Sequence, residues 1–148
     1  MQGPFRIPVR VYYQDTDAGG VVFHAQYLAF MERARSELLN AASIDLARFT
    51  ERHGVLFLVH KITVTYHLPG RLNDLLSVSA EVARMGRASL VFRQRVERGA
   101  ALLVEAEVTV ALVERSRMTP TRMPEELATA LRAVHTAPGA VQTKALKA

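Results

Sequence analysis

The sequence predicts an α+β domain: an antiparallel sheet of about five strands wrapped around one long central helix. Three observations carry this expectation. A single long stretch near the N-terminus repeats its apolar residues at helical spacing. Period-two runs then follow one another with only short turns between them, which favours hairpins over βαβ crossovers. Finally, 148 residues, 49% of them apolar, suffice for one core and leave no room for a second.

In chain order, Phe5 to Tyr13 alternates, with Val9, Val11 and Tyr13 on one face, and reads as a strand. Turn formers from Asp15 to Gly20 break it. From Val22 to Asn40, Tyr27, Leu28, Met31, Ala34 and Leu38 recur at three- and four-residue steps, predicting a helix. A second helical piece, Asp45 to His53, stops at Gly54, a residue suited to a helix C-terminus. Val55 to Leu68 switches to period two until Pro69-Gly70 ends it. Leu76 to Val82, Leu90 to Val96 and Leu102 to Leu112 alternate in turn, separated by Met85-Gly86-Arg87 and Arg98-Gly99. Pro124 opens a last helical stretch to His135 with Leu127, Leu131 and Val134 at helical spacing. Residues 1–135 form the expected domain, and 136–148 the expected loose tail. In the core, Leu28, Met31 and Leu38 should meet Val64, Val78, Phe92 and Val108.

The composition excludes several classes of function. Without cysteine there is no disulfide framework, thiolate metal site or cysteine nucleophile. No apolar run reaches the ~20 residues that span a bilayer. The N-terminus lacks the basic-then-apolar layout of an export signal, so the cytoplasm is the expected compartment. Net charge is +5, and 16 of the 19 basic residues are arginines without any run, which suits phosphates on a small ligand better than nucleic acid. Phosphate-loop, dinucleotide, serine-elbow and H-E-x-x-H motifs are all missing. The five histidines form no ligand-like cluster, so no metal is expected.

One segment concentrates chemistry: Tyr12-Tyr13-Gln14-Asp15-Thr16-Asp17-Ala18-Gly19-Gly20-Val21-Val22-Phe23-His24. It sets two carboxylates and two glycines between a strand and the longest helix. A carboxylate there can act as base or nucleophile beside free helix N-terminal amides, which stabilise an oxyanion. The plainer reading makes Asp15 and Asp17 an Asx turn or helix cap, with the glycines serving the turn.

The wording of the segment, continued by Tyr27 and Glu32-Arg33-Ala34-Arg35, closely resembles the signature of the Tol–Pal-associated (YbgC-type) acyl-CoA thioesterases. These lie in the 4-hydroxybenzoyl-CoA thioesterase branch of the hotdog fold. The likeness continues through Lys61-Ile62-Thr63-Val64-x-Tyr66, Ser89-Leu90-Val91-Phe92-x-Gln94 and Glu105-Ala106-Glu107-Val108, and spans roughly residues 5 to 128. It implies a thioester hydrolase in which Asp17 is the catalytic carboxylate, as nucleophile or general base. The oxyanion donor it implies is the backbone N–H of His24, whose imidazole is a second catalytic candidate. Gly20, Val22 and Phe23 belong to the same implied substrate-contacting stretch. Tyr13 is a further substrate-contact candidate, although Tyr13 and Tyr27 both sit at apolar-periodic positions and so read as core. Arg84, Arg87 and Ser89, around a hairpin turn, stand where the family holds nucleotide phosphates; a solvated turn is the competing reading.

No cofactor is implied, because coenzyme A is part of the substrate, and a thioester needs no metal to be cleaved. The implied partners are an acyl-CoA substrate, a second copy in a dimer or tetramer, and, as a further candidate, an acyl carrier protein. Two other readings compete with hydrolysis. One is a hotdog dehydratase or isomerase, against which the D-x-D-x-G-G pattern argues. The other is a binding module for acidic carriers or phospholipid enzymes.

Overall fold

The structure, a computed structural model, describes residues 3–136. The expected tail at 136–148 lies, apart from Thr136, outside the described residues. Strand β1 (Phe5–Arg10) leads through a single 3₁₀ turn at Tyr13–Asp15 to helix α1 (Gln26–Ala41) and helix α2 (Leu46–His53). Strands β2 (Val55–Tyr66), β3 (Leu75–Met85), β4 (Ser89–Arg98) and β5 (Ala101–Glu114) follow, then a two-residue β6 (Thr119–Pro120) and helix α3 (Glu125–Thr136).

Every strand pairing is antiparallel, and the sheet runs β1-β3-β4-β5-β2, with β6 beside the end of β5. Helix α1 packs on β1, β3 and β4, as the apolar stripe on its sequence requires. Met31, Ala34 and Leu38 are fully buried against a sheet face that includes Val78, Phe92 and Val108. Leu28 and Val64 also pack on this core but are only half-buried, because α1 lies toward the β1 side of the sheet. This is the hotdog arrangement.

Capping follows the sequence closely in α2. Asp45 accepts a hydrogen bond from the Arg48 amide, and Gly54 closes the helix with a left-handed φ of 68°. Helix α1 differs from expectation: it starts at Gln26, four residues later than Val22. Val21 and Val22 are held extended by bridges to Arg71 and Thr16, so the chain cannot enter helical geometry until after His24. Strand β1 is also shorter than the alternation implies. Asn73 and Asp74 take over the backbone bonds of Val11, and the following turn destroys the period-two register. Tyr13, read as a core position, is consequently 82% exposed.

The two edges of the sheet differ. β1 is six residues long and carries Pro8, which has no N–H to offer a neighbour. β2 is twelve residues long without a proline. It also contains a bulge between Val59 and Lys61 that inserts His60 opposite β5.

Candidate active site

The loop from Val11 to Ala25 is shaped by its two aspartates in different ways. Asp15 is 3% exposed, and its Oδ2 accepts the Tyr12 amide at 2.8 Å. Its carbonyl accepts the Phe23 amide at 2.9 Å, so Asp15 ties the two ends of the loop together. Asp17 is exposed at the tip of a tight reversal. Its amide donates to the Val21 carbonyl at 2.9 Å and its carbonyl accepts from the Gly20 amide at 3.0 Å. Gly20 takes φ 79°, a value that costs little only for glycine. Asp17 Oδ1 accepts the Gly19 amide at 2.8 Å, the Asx turn anticipated from the pattern, and among the described residues Oδ2 takes no hydrogen bond.

This reversal is fastened to the segment after β2. The Val22 amide donates to the Gly70 carbonyl at 2.9 Å, and the Gly70 amide donates to the Tyr27 hydroxyl at 2.9 Å. Gly70 is buried, and a methyl group there would stand 3.2 Å from Val22 Cγ2 and 3.3 Å from the Tyr27 oxygen. Burial raises the Tyr27 phenol above its ordinary value, outweighing the lowering effect of the Gly70 N–H, so it stays protonated. Tyr66, at the end of β2, donates its hydroxyl to the His24 carbonyl at 2.9 Å and meets the Tyr27 ring edge-on at 5.8 Å.

These contacts enclose a pocket of about 350 Å³ bordered by Asp17, Val22, His24, Tyr27, Tyr66 and His67, among others. His24 sits in the turn leading into α1. Its carbonyl is occupied by Tyr66, whereas among the described residues its amide donates to no acceptor. An exposed carboxylate and an unspent amide at a helix start therefore border one apolar cleft, and the helix dipole reinforces the amide's pull on developing negative charge.

The other expected residues are distributed unevenly. Val22 is buried and lines the pocket; Gly20 shapes the reversal. Phe23 is exposed and packs its ring on the His24 imidazole at 4.6 Å. Tyr13 stands in solvent outside the pocket lining. Arg84, Arg87 and Ser89 lie at the far end of β3, ten steps from the Leu75 end that adjoins the Asp17 loop, or roughly 30 Å away. One chain does not bring them to Asp17. The pocket also recruits Tyr66 and His67, and Gly70 fastens the loop beside it; sequence reasoning placed none of them there, because some 40 residues separate them from the loop they complete. No local pattern signals such a contact; the proline-glycine break after β2 was its only trace.

Residues 19–105 match the family model of the thioesterase superfamily. The acyl-CoA thioester hydrolase YbgC of Escherichia coli O6:H1 is 49% identical over 125 residues, 83% of this chain and 92% of that protein. The acyl-CoA thioesterase YbgC of Haemophilus influenzae is 42% identical over 123 residues, 83% and 90% of the two chains. Among solved structures, a probable thioesterase from Bartonella henselae superposes with a TM-score of 0.77 at 31% identity, covering 82% of this chain and all of its own. A 1,4-dihydroxy-2-naphthoyl-CoA thioesterase from Synechocystis reaches 0.82 at 19% identity, over 90% and 98%, a likeness of fold alone. The loop that carries Asp17, the hotdog built around α1 and these similarities agree: the chain belongs to the thioesterase superfamily, among the YbgC-type acyl-CoA thioester hydrolases.

Proposed function

We propose that the protein hydrolyses acyl-CoA thioesters in the pocket beside Asp17, with Asp17 as the reacting carboxylate and the His24 amide as oxyanion donor. The observation that carries this is their shared place on the lining of one cleft, the carboxylate with an oxygen that no described donor takes and the amide without a described acceptor. With the thioester carbonyl oxygen on the His24 N–H, its carbon is exposed to attack. As general base, Asp17 takes a proton from water while the hydroxide adds to that carbon. The tetrahedral oxyanion then collapses, the C–S bond breaks, and the CoA thiolate leaves to collect a proton. As nucleophile, Asp17 would instead add to the carbonyl carbon and expel the CoA thiolate as the C–S bond breaks, forming a mixed anhydride that water opens to the free acid and the Asp17 carboxylate. Both routes need the same geometry.

The two ends of the substrate call for a second copy of the chain. The open β2 edge suits pairing with another β2 about a two-fold axis. Antiparallel pairing places the Tyr66 end of one β2 near the Val55 end of the other. Because Val55 pairs with Glu114 and Ala111 with Ser89, the Arg84–Ser89 hairpin of the second copy then comes to the Asp17 side. Its arginines can hold the CoA phosphates there. We place this dimer, the assembly of two dimers into a tetramer, and delivery of acyl groups from an acyl carrier protein in the cytoplasm. Among the described residues, no helix is long and apolar enough to cross a membrane.

The decisive experiment is a panel of acyl-CoAs of rising chain length with thiol release followed, using wild type and Asp17→Asn. Turnover of at least one ester, reduced ~10²-fold or more in Asp17→Asn, is expected. No thiol release from any ester, or equal turnover by both proteins, would overturn the assignment.

A further inference from the structure

Away from Asp17, one buried ion makes no ion pair among the described residues. Arg35, on the middle of α1, is 9% exposed. Its Nη1 donates to Gln94 Oε1 at 2.9 Å. Gln94 has nothing more to give, since its Nε2 donates to the Met31 and Ser79 carbonyls at 2.9 and 3.1 Å. A guanidinium carries five N–H donors. Among the described residues Arg35 makes this one side-chain hydrogen bond and no ion pair. Burial lowers its pKa from the ordinary arginine value, and Glu32, one turn away on the helix, only partly opposes this. A buried cation in this condition is costly unless something anionic meets it.

The same side chain borders a cavity of about 150 Å³, whose apolar walls include Phe57, Val59, Phe92 and Val110. Glu32 also borders it, but is exposed and takes a hydrogen bond from Ser36. The β2 bulge helps to build this cavity. By inserting His60, it turns Phe57 toward the face that Ile62 and Val64 present, so all three pack on the core. Ile62 and Val64, half-buried, lie along β2 between this cavity and the Asp17 pocket. On α1 the distance from Tyr27, which borders that pocket, to Arg35 is eight residues, about 12 Å of helix.

We propose that this cavity receives the distal end of the acyl group and that Arg35 selects thioesters whose acyl chain ends in a carboxylate. The inference rests on the reading of the Asp17 pocket as the thioesterase site. A chain long enough to leave the pocket along Val64 and Ile62 meets apolar walls and then a guanidinium with four donors that no described residue accepts. A methyl end gains only the walls; a carboxylate end also gains charge-assisted hydrogen bonds.

The test compares CoA esters in pairs of equal length, one ending in methyl and one in carboxylate, over rising length. For wild type, kcat/KM should favour the carboxylate member at least ~10-fold once the chain spans to Arg35, and not before. Arg35→Met should abolish that ratio while still hydrolysing the methyl-ended esters; Arg35→Lys should keep part of it. Binding of the same pairs to Asp17→Asn by calorimetry reads the preference without turnover. It also covers the case in which Arg35→Met fails to fold. A ratio that is flat with length, or unchanged in Arg35→Met, would overturn the inference. Absence of hydrolysis of both members beside a retained binding preference would instead overturn the catalytic reading and leave this one standing.

Discussion

Asp15 and Asp17 are two residues apart, yet substitution should separate them into a stability residue and an activity residue. Asp15→Ala removes a buried carboxylate and leaves the Tyr12 amide without its acceptor. A hydrogen bond to a charged group contributes about 1.5–3 kcal/mol, so a loss near 2 kcal/mol is expected. For a domain of this size, that corresponds to a fall of roughly 4–8 °C in Tm. Asp17→Ala removes one solvent-exposed bond to the Gly19 amide and should cost less, about 0.5 kcal/mol. Thiol release should rank them oppositely. Asp17→Ala loses ~10²-fold or more in kcat, whereas Asp15→Asn, which keeps an acceptor for Tyr12, loses far less. Thermal melts and kinetics on the same preparations decide the matter. An Asp15→Ala protein that melts like wild type but is inactive, beside an active and destabilised Asp17→Ala protein, would show that the wrong carboxylate has been assigned.

Three further outcomes follow from the same geometry. Tyr27→Phe leaves the buried Gly70 N–H unsatisfied and should cost about 1–3 kcal/mol in a urea titration; an unchanged midpoint would mean that this amide has another acceptor. At Asp74, burial acts to raise the carboxyl, but hydrogen bonds from Arg98 and the Arg71 amide outweigh it and hold the group below the usual aspartate range. A carboxyl lowered by folding stabilises fully above its unfolded pKa of about 3.9, and that contribution is lost as pH falls through the folded value. The stability gap between wild type and Asp74→Asn should therefore be open at pH 7 and close on the acid side; a gap that is constant with pH would refute the account. Alanine at both Arg84 and Arg87 should raise KM for CoA esters with kcat largely kept, and should not affect a thioester lacking the nucleotide. An equal effect on both substrates would remove them from phosphate binding.

Much of the fold could be read directly because each strand reports its burial locally. Leu76, Val78, Ala80 and Val82 alternate in sequence and are all buried in the same sheet face. The misreadings share one cause. The start of α1 and the fate of Tyr13 depend on bonds from Arg71, Asn73 and Asp74, some 50 or more residues distant, which override a helical or strand period without altering it. The bulge at His60 escaped for a similar reason. Val55 to Tyr66 looks like one alternating run, but an inserted residue changes which parity faces inward halfway along. At the site, the D-x-D-x-G-G wording exposed Asp17, and the resemblance gave it a role. That wording said nothing of Tyr66 or Gly70, whose contribution exists only once β2 has returned to the loop.

The unequal edges of the sheet also set a valence. A sheet with two adhesive sides is a bifunctional monomer, and bifunctional monomers grow into chains without limit. With β1 cut short and interrupted by Pro8, this protein has one functional side, and a unit with one such side can only terminate its neighbour. In the proposed β2–β2 pairing, growth along the hydrogen-bonding direction would then halt at two. Pro8 thus acts as a chain stopper: replacing it with a β-branched residue would restore the second functional side and open the route from a counted assembly to a filament.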